Sequence, residues 1–180
     1  MFKRLKRYLI KAWDSVKSFG RKLFTKSHLI QATYFVGTVS LSALVLNWAL
    51  PTWMAALVLG VVVVHEFAHY FTALSDGRKT YLPFFIPFIY GIIGGTRVKG
   101  HIPESDMKIA LAGPSASALV CAVAIAVFLQ SGFMPGVWCA TWLLVSQVYA
   151  GTFGGDGRKY REAKSKLVPS YANVLYGAPI

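Results

Sequence analysis

Apolar residues run together in long blocks along this chain, and short polar segments separate the blocks. Four blocks come close to the length of a membrane-crossing helix, at about residues 29–50, 53–74, 107–129 and 133–150. Such a helix needs about 20 apolar residues, so the last block is short for a span. Because 55% of the 180 residues are hydrophobic, the pattern predicts an all-α polytopic membrane protein with about four transmembrane helices.

Residues 1–27 predict a basic amphipathic helix on the membrane surface. Lys and Arg fill one face of this helix, and apolar residues at spacings of three and four fill the other: Phe2, Leu5, Leu9, Trp13, Val16, Phe19 and Leu23. Acidic lipid at the cytoplasmic face of the bilayer is the partner that such a helix predicts. Docking of a partner protein is the alternative role for this segment.

The 19 Lys and Arg residues give the chain a formal net charge of +12, and their placement predicts a topology. Nine lie in residues 1–26, five in 78–108 and five in 158–166, whereas the turns at 51–52 and 130–132 have none. With four spans, the three basic segments fall on one side of the membrane, which is the positive-inside pattern. We therefore expect a multi-pass protein with both termini in the cytoplasm. No nucleic-acid partner is expected, because no recognition motif accompanies the basic residues.

The segment at residues 76–106 is the only long stretch without a helical pattern, and it is unusually apolar. Its residues 81–90 contain aromatic side chains and prolines but no charge. Pro83 and Pro87 exclude a regular helix there. Backbone at membrane depth must be satisfied inside the protein, so the segment predicts a re-entrant strand or hairpin packed against the spans.

The second half of this loop carries the candidate contacts to a substrate. Gly91, Gly94 and Gly95, followed by residues 96–99, indicate a turn and then a strand. The edge of such a strand could pair with an extended peptide, and the alternative is a packing plug that contacts no substrate. The candidate substrate-binding residues are Gly94, Gly95, Thr96 and Arg97.

Small residues recur at steps of four through the third block, at Ala110, Pro114, Ala118, Ala122 and Ala126. Small side chains let helices approach closely in lipid, so this block is expected to pack tightly against the helix of residues 53–74. A direct catalytic role for the nearby Ser115 or Ser117 is a less favoured alternative.

A metal-binding pattern lies inside the second block, at His65, Glu66 and His69. Residues four apart share a helix face, so both histidines can reach one metal ion while Glu66 lies beside its open position. Zinc lowers the pKa of a bound water to about 7, and Glu66 could then take its proton. Ionisable residues within a span are costly and indicate a functional site. The alternative is that neighbouring helices satisfy these three side chains.

A catalytic zinc ion usually takes three protein ligands, so the two histidines need a partner. Asp156 is the favoured candidate, because it follows the last span in Gly154-Gly155-Asp156-Gly157. Glycines let the backbone approach the metal and break the helix, which turns the carboxylate inward. His101 is a second candidate ligand, and Asp156 could instead cap the basic helix that follows.

Three short blocks of residues occur together in this chain: His65-Glu66-Phe67-Ala68-His69-Tyr70, Ala112-Gly113-Pro114 and Gly155-Asp156-Gly157-Arg158. As a set they resemble the site-2 protease family of intramembrane zinc metalloproteases. Residues 82–88 are also similar to the segment after the zinc helix in a branch known from photosynthetic organisms and some bacteria. The resemblance covers roughly residues 55–160.

The resemblance implies a three-helix catalytic core that cleaves a transmembrane segment of a membrane-protein substrate. It implies one zinc ion held by His65, His69 and Asp156, with Glu66 as the general base. It also implies a site that water can reach near the cytoplasmic side, and we expect the protein in a prokaryotic plasma membrane.

Three segments follow from these expectations: the surface helix at 1–27, a membrane-embedded metalloprotease core at 28–157 and a cytoplasmic basic tail at 158–180. The family's last motif usually carries an Asn and prolines before Leu-Asp-Gly. Here Ser146-Gln147-Val148-Tyr149 precedes the glycines. Gln147 is therefore the candidate to stabilise the oxyanion of the tetrahedral intermediate.

Two other functions stay open. The changed last motif favours a catalytically inactive membrane adaptor of the same fold that binds transmembrane helices, whereas the intact Glu66 opposes it. A metal transporter or sensor would need ionisable residues continuing across the spans, and beyond the motif the spans offer almost none.

Overall fold

The computed structural model describes residues 26–88 and 91–176, and most of these residues are helical. Five helices and one pair of strands occur in this part of the chain: α1 Lys26–Ala49, α2 Thr52–Ser75, β1 Phe84–Phe88, β2 Gly91–Gly95, α3 Pro103–Gln130, α4 Met134–Thr152 and α5 Gly155–Tyr176. The predicted surface helix at 1–27 lies outside the described residues, except for its last two positions at the start of α1.

Three helices of the described chain are long and apolar enough to cross a membrane: Leu29–Ala49, Thr52–Ser75 and Pro103–Gln130. This agrees with the predicted helical membrane protein. Helix α4 has 19 residues and carries the polar Ser146 and Gln147, which lower its hydropathy. A fourth span therefore stays a prediction.

Helix α3 is central, because it packs against α2, α4 and α5. Its buried side chains are small, which lets the neighbouring helices approach closely: Ala110, Gly113, Pro114, Ser117 and Cys121. The predicted stripe at steps of four does not stay buried, since Ala122 and Ala126 are exposed. A helix has 3.6 residues per turn, so residues spaced four apart gradually rotate away from the buried face. The buried positions stay on that face because one of their spacings is three, from Pro114 to Ser117.

An antiparallel hairpin connects α2 to α3, with Phe84 paired to Gly95 and Phe88 paired to Gly91. Strand β1 packs against α1, and β2 packs against α2. A hairpin was expected here, whereas its re-entrant placement in the bilayer stays a prediction.

The prediction of a strand at residues 96–99 was wrong in its position along the chain. The second strand is Gly91–Gly95, and Val98 forms only an isolated bridge with Thr80. Close packing explains the difference, because a Cβ atom on Gly94 would lie 2.6 Å from Oε1 of Glu66. The glycines therefore serve as strand residues that let the backbone approach α2 closely.

Arg78 connects three segments beside the site. Its side chain is buried and donates hydrogen bonds to the carboxylate of Asp106 and to the carbonyl of Gly100. It also lies 3.4 Å from the hydroxyl of Ser105. These contacts hold the segment after α2 and the segment between β2 and α3 against the first turn of α3.

Candidate functional site

Three side chains from distant parts of the chain meet at one point. Nε2 of His65 lies 3.1 Å from Oδ2 of Asp156 and 3.1 Å from Nε2 of His69. Nε2 of His69 lies 3.5 Å from the same carboxylate oxygen. All three ligand atoms lie within 4.8 Å of one another, so together they could hold a metal ion.

The turn between α4 and α5 brings Asp156 to the histidines. A Cβ atom on Gly157 would lie 2.5 Å from the carbonyl carbon of Thr152, and one on Gly154 would lie 2.8 Å from Cα of Ala150. Only glycine fits such close backbone approaches. Asp156 also lies in the first turn of α5, where the helix dipole favours a negative charge.

The electrostatic surroundings of Asp156 favour its ionised form. Burial by itself raises the pKa of this carboxyl group, but hydrogen bonds that it accepts from the protonated rings of His65 and His69 outweigh the burial and lower its pKa well below the ordinary value. Nζ of Lys159 lies 3.5 Å from Oδ1, the oxygen that does not face the histidines. Asp156 is therefore an anionic candidate ligand with one oxygen directed at the histidines.

The other ring nitrogen of each histidine has its own acceptor. Nδ1 of His69 donates to the carbonyl of Ile109 at 2.6 Å, and Nδ1 of His65 donates to Oε1 of Gln147 at 2.9 Å. When a metal ion binds, each ring would give up the hydrogen on Nε2 and keep the one on Nδ1, which would leave both Nε2 lone pairs for the metal. A Cβ atom on Gly113 would lie 2.6 Å from Cε1 of His69, so this glycine leaves room for the rings. The residues present fit a metal ion.

Glu66 lies beside the cluster on the same helix. It is buried, and its Oε2 accepts a hydrogen bond from the hydroxyl of Thr96 at 2.9 Å. It lines one cavity together with His69 and Asp156. A carboxylate in this position can exchange a proton with a molecule bound at the cluster.

The cavity has a volume of about 430 Å³ and lies between the hairpin, the start of α3 and α5. Its wall on the α5 side carries charged side chains, which are Asp156, Lys159, Glu162 and Lys166. A cavity of this size can admit a short extended peptide segment together with water.

The predicted substrate-binding residues divide into two groups. Gly94, Gly95 and Thr96 line the cavity. Arg97 is absent from this lining, and its guanidinium lies 5.6 Å from the centre of the Phe84 ring. Three of the four positions therefore surround the space beside the cluster.

The two remaining predicted residues, His101 and Gln147, contribute no atom to the ligand cluster. His101 lines the cavity with a side chain that is 88% exposed, and its Nδ1 lies 3.4 Å from Asp106, so it does not join the cluster. Gln147 lies against Nδ1 of His65, on the side of the ring away from the ligand atoms.

Several contacts of the site were missing from the sequence prediction. The carbonyl of Ile109 could not be found, because a backbone acceptor leaves no mark on the sequence. Lys159 could have been found, since it lies three residues after Asp156 and the two share a helix face. For Ser117 a direct catalytic role was the less favoured alternative and no contact to Gln147 was predicted, whereas its hydroxyl lies 2.7 Å from Oε1 of Gln147.

Comparison with protein-family models, with curated proteins and with solved structures finds no match for this chain. The inference of function therefore rests on the residues and their geometry.

Proposed function

We propose that this protein is an intramembrane zinc metalloprotease that cleaves a transmembrane segment of a membrane-protein substrate. One observation carries the proposal: His65, His69 and Asp156 form a cluster that could hold a metal ion, and Glu66 lines the cavity beside it on the helix of the two histidines. That helix, α2, is long and apolar enough to cross a membrane.

The donor set supports zinc as the metal. Two imidazole nitrogens and one carboxylate oxygen are ligands that zinc takes in catalytic sites, with its fourth position left open. The metal–ligand distances expected for zinc are about 2.0–2.2 Å. Ligand atoms that already lie 3.1–3.5 Å from one another match the edges of such a coordination shell.

The proposed reaction is hydrolysis of a peptide bond. Zinc, when bound, would polarise the scissile carbonyl and make an attacking water more acidic. Glu66 accepts the proton of that water and then transfers it to the nitrogen of the leaving amine. Thr96 donates to Oε2 of Glu66 at 2.9 Å, which holds the carboxylate in place between these two steps.

Strand β2 supports binding of an unwound substrate segment. Among the described residues, it pairs with β1 along one edge of a two-stranded sheet, so its other edge offers backbone groups to a third strand. Gly94 lies against Glu66, and Gly95 and Thr96 line the same cavity. A peptide paired with this edge would therefore have its backbone close to the general base.

The membrane arrangement belongs to the same proposal. Four spans and a re-entrant hairpin would place both termini in the cytoplasm, with the charged wall of α5 near acidic lipid at that face. Water would then reach the cluster through the cavity between the hairpin and α5.

The test is cleavage of a labelled single-span peptide by the purified full chain in lipid vesicles, with products identified by mass spectrometry. We expect wild-type protein to cut within the apolar segment and Glu66→Gln to release no product. Binding of the peptide without cleavage by wild-type, zinc-loaded protein would contradict the proposal and favour the adaptor. Zinc movement across the vesicle membrane would favour the transporter.

A further inference from the structure

We propose that Gln147 is a positioning residue that holds His65 in the orientation and tautomer needed to bind the metal ion. The inference rests on the proposed metal centre and does not depend on the proposed protease activity. Gln147 lies on α4 and His65 on α2, so the hydrogen bond between them joins two helices across the site.

The two nitrogens of the His65 ring have different surroundings. Nε2 lies 3.1 Å from Oδ2 of Asp156, within the ligand cluster. Nδ1 lies 2.9 Å from Oε1 of Gln147 and 3.2 Å from the hydroxyl oxygen of Ser117. An amide oxygen only accepts hydrogen bonds, so Nδ1 carries the hydrogen. Nε2 then keeps the lone pair that a metal requires.

Neighbouring hydroxyl groups hold the amide of Gln147 in this orientation. The hydroxyl of Ser117 is fully buried and lies 2.7 Å from Oε1 of Gln147. At its other end, Nε2 of Gln147 donates to the hydroxyl oxygen of Ser146 at 3.3 Å. Both ends of the amide are therefore satisfied while its oxygen faces His65.

The same geometry separates this role from stabilisation of an oxyanion. A donor to the oxyanion must lie about 2.7–3.1 Å from the reacting oxygen, beside the metal. Gln147 does not line the cavity in the described chain, and it contacts the ring nitrogen that faces away from the cluster. Its effect must therefore pass through His65.

Zinc affinity of the full chain in lipid nanodiscs, measured by competition with a chromophoric chelator, tests the inference. Gln147→Leu should bind zinc about 10–100-fold more weakly, the usual cost of losing such a partner of a metal ligand. Gln147→Glu keeps an acceptor for Nδ1 and should bind zinc as tightly as wild type or more tightly. The visible spectrum of bound cobalt(II) should change in Gln147→Leu, because the ligand geometry changes.

Gln31→Leu is the matched control. It makes the same chemical change on α1 and also removes a hydrogen bond between a helix and a distant segment, since Oε1 of Gln31 accepts from the backbone nitrogen of Leu82 at 3.2 Å. It does not touch the cluster, so zinc affinity and the cobalt spectrum should stay unchanged.

Unchanged zinc affinity in Gln147→Leu would overturn the inference, as would an equal loss in Gln147→Leu and Gln31→Leu. If Gln147→Leu does not fold, weaker zinc binding by Gln147→Glu would overturn it instead. Wild-type protein that binds no zinc would overturn both this inference and the proposed function. If the zinc affinities are as expected but wild-type protein cleaves no peptide, the proposed protease function is contradicted and the inference about Gln147 stands.

Discussion

Replacing Gly113 by alanine should weaken metal binding, because the added methyl group collides with both histidine ligands. A Cβ atom at this position would lie 2.6 Å from Cε1 of His69 and 2.8 Å from Cδ2 of His65. Neither ring can move freely, since Nδ1 of His69 is bonded to the carbonyl of Ile109 at 2.6 Å and Nδ1 of His65 to Gln147 at 2.9 Å.

The size of the effect follows from the required displacement. Ordinary contacts begin at 3.4 Å, and the added Cβ atom would come even closer to Nε2 of His69 than to its Cε1. The ring of His69 must therefore retreat by at least about 0.8 Å, and tightly packed interiors resist such shifts. Metal–ligand distances tolerate only about 0.2 Å. We expect zinc affinity to fall by at least about 10-fold, which corresponds to about 1.4 kcal/mol.

The assay is zinc binding to the purified protein by chelator competition, with circular dichroism to verify the helical content. Gly60→Ala is the matched control, because Gly60 lies on α2 in open space, with nothing within 4 Å of an added Cβ atom. Its zinc affinity should equal that of wild type. Wild-type zinc affinity in a folded Gly113→Ala protein would refute the proposed arrangement of the two histidines.

The remaining predictions concern the roles of single residues. Glu66→Gln should bind zinc normally and cleave peptide about 10²–10⁴-fold more slowly, so that it releases no detectable product in the vesicle assay. Glu162→Gln, also on the cavity wall, should cleave normally, and equal rates in both variants would exclude Glu66 as the base. Asp156→Ala should lower zinc occupancy measured by elemental analysis, and His101→Ala should not, because His101 is 88% exposed and outside the cluster. The reverse result would make the loop histidine the ligand. Gly94→Ala should retain zinc and lose cleavage, since its methyl group would lie 2.6 Å from Oε1 of Glu66; cleavage at the wild-type rate would show that β2 does not lie against the base.

The histidine pair was predictable because its spacing is a local property of a helix. His65 and His69 share a face whatever the rest of the fold does. Asp156 was predictable for a different reason, since glycines on both sides of it indicate close backbone approach. The structure explains these glycines by the tight turn between α4 and α5, where a Cβ atom on Gly157 would lie 2.5 Å from a backbone carbon.

The contacts that orient these ligands could not be predicted, because they depend on how helices pack. The carbonyl of Ile109 meets His69 where α3 packs against α2, a packing to which Arg78 and the small residues of α3 contribute. The position of the second strand was missed for a related reason. Glycine has low strand propensity, so Gly91, Gly94 and Gly95 indicated a turn, whereas Gly91–Gly95 pairs with β1 as a strand and lies close against Glu66.

Restoration of cleavage by zinc tests the central claim most directly. Protein stripped of metal by a chelator is reconstituted in lipid vesicles with a labelled single-span peptide, and zinc is then added in steps. We predict that cleavage returns in proportion to bound zinc and saturates at one ion per chain, while Glu66→Gln binds the same amount of zinc and releases no product. Cleavage by the metal-free protein, or undiminished cleavage by Glu66→Gln, would contradict a zinc metalloprotease built on these residues.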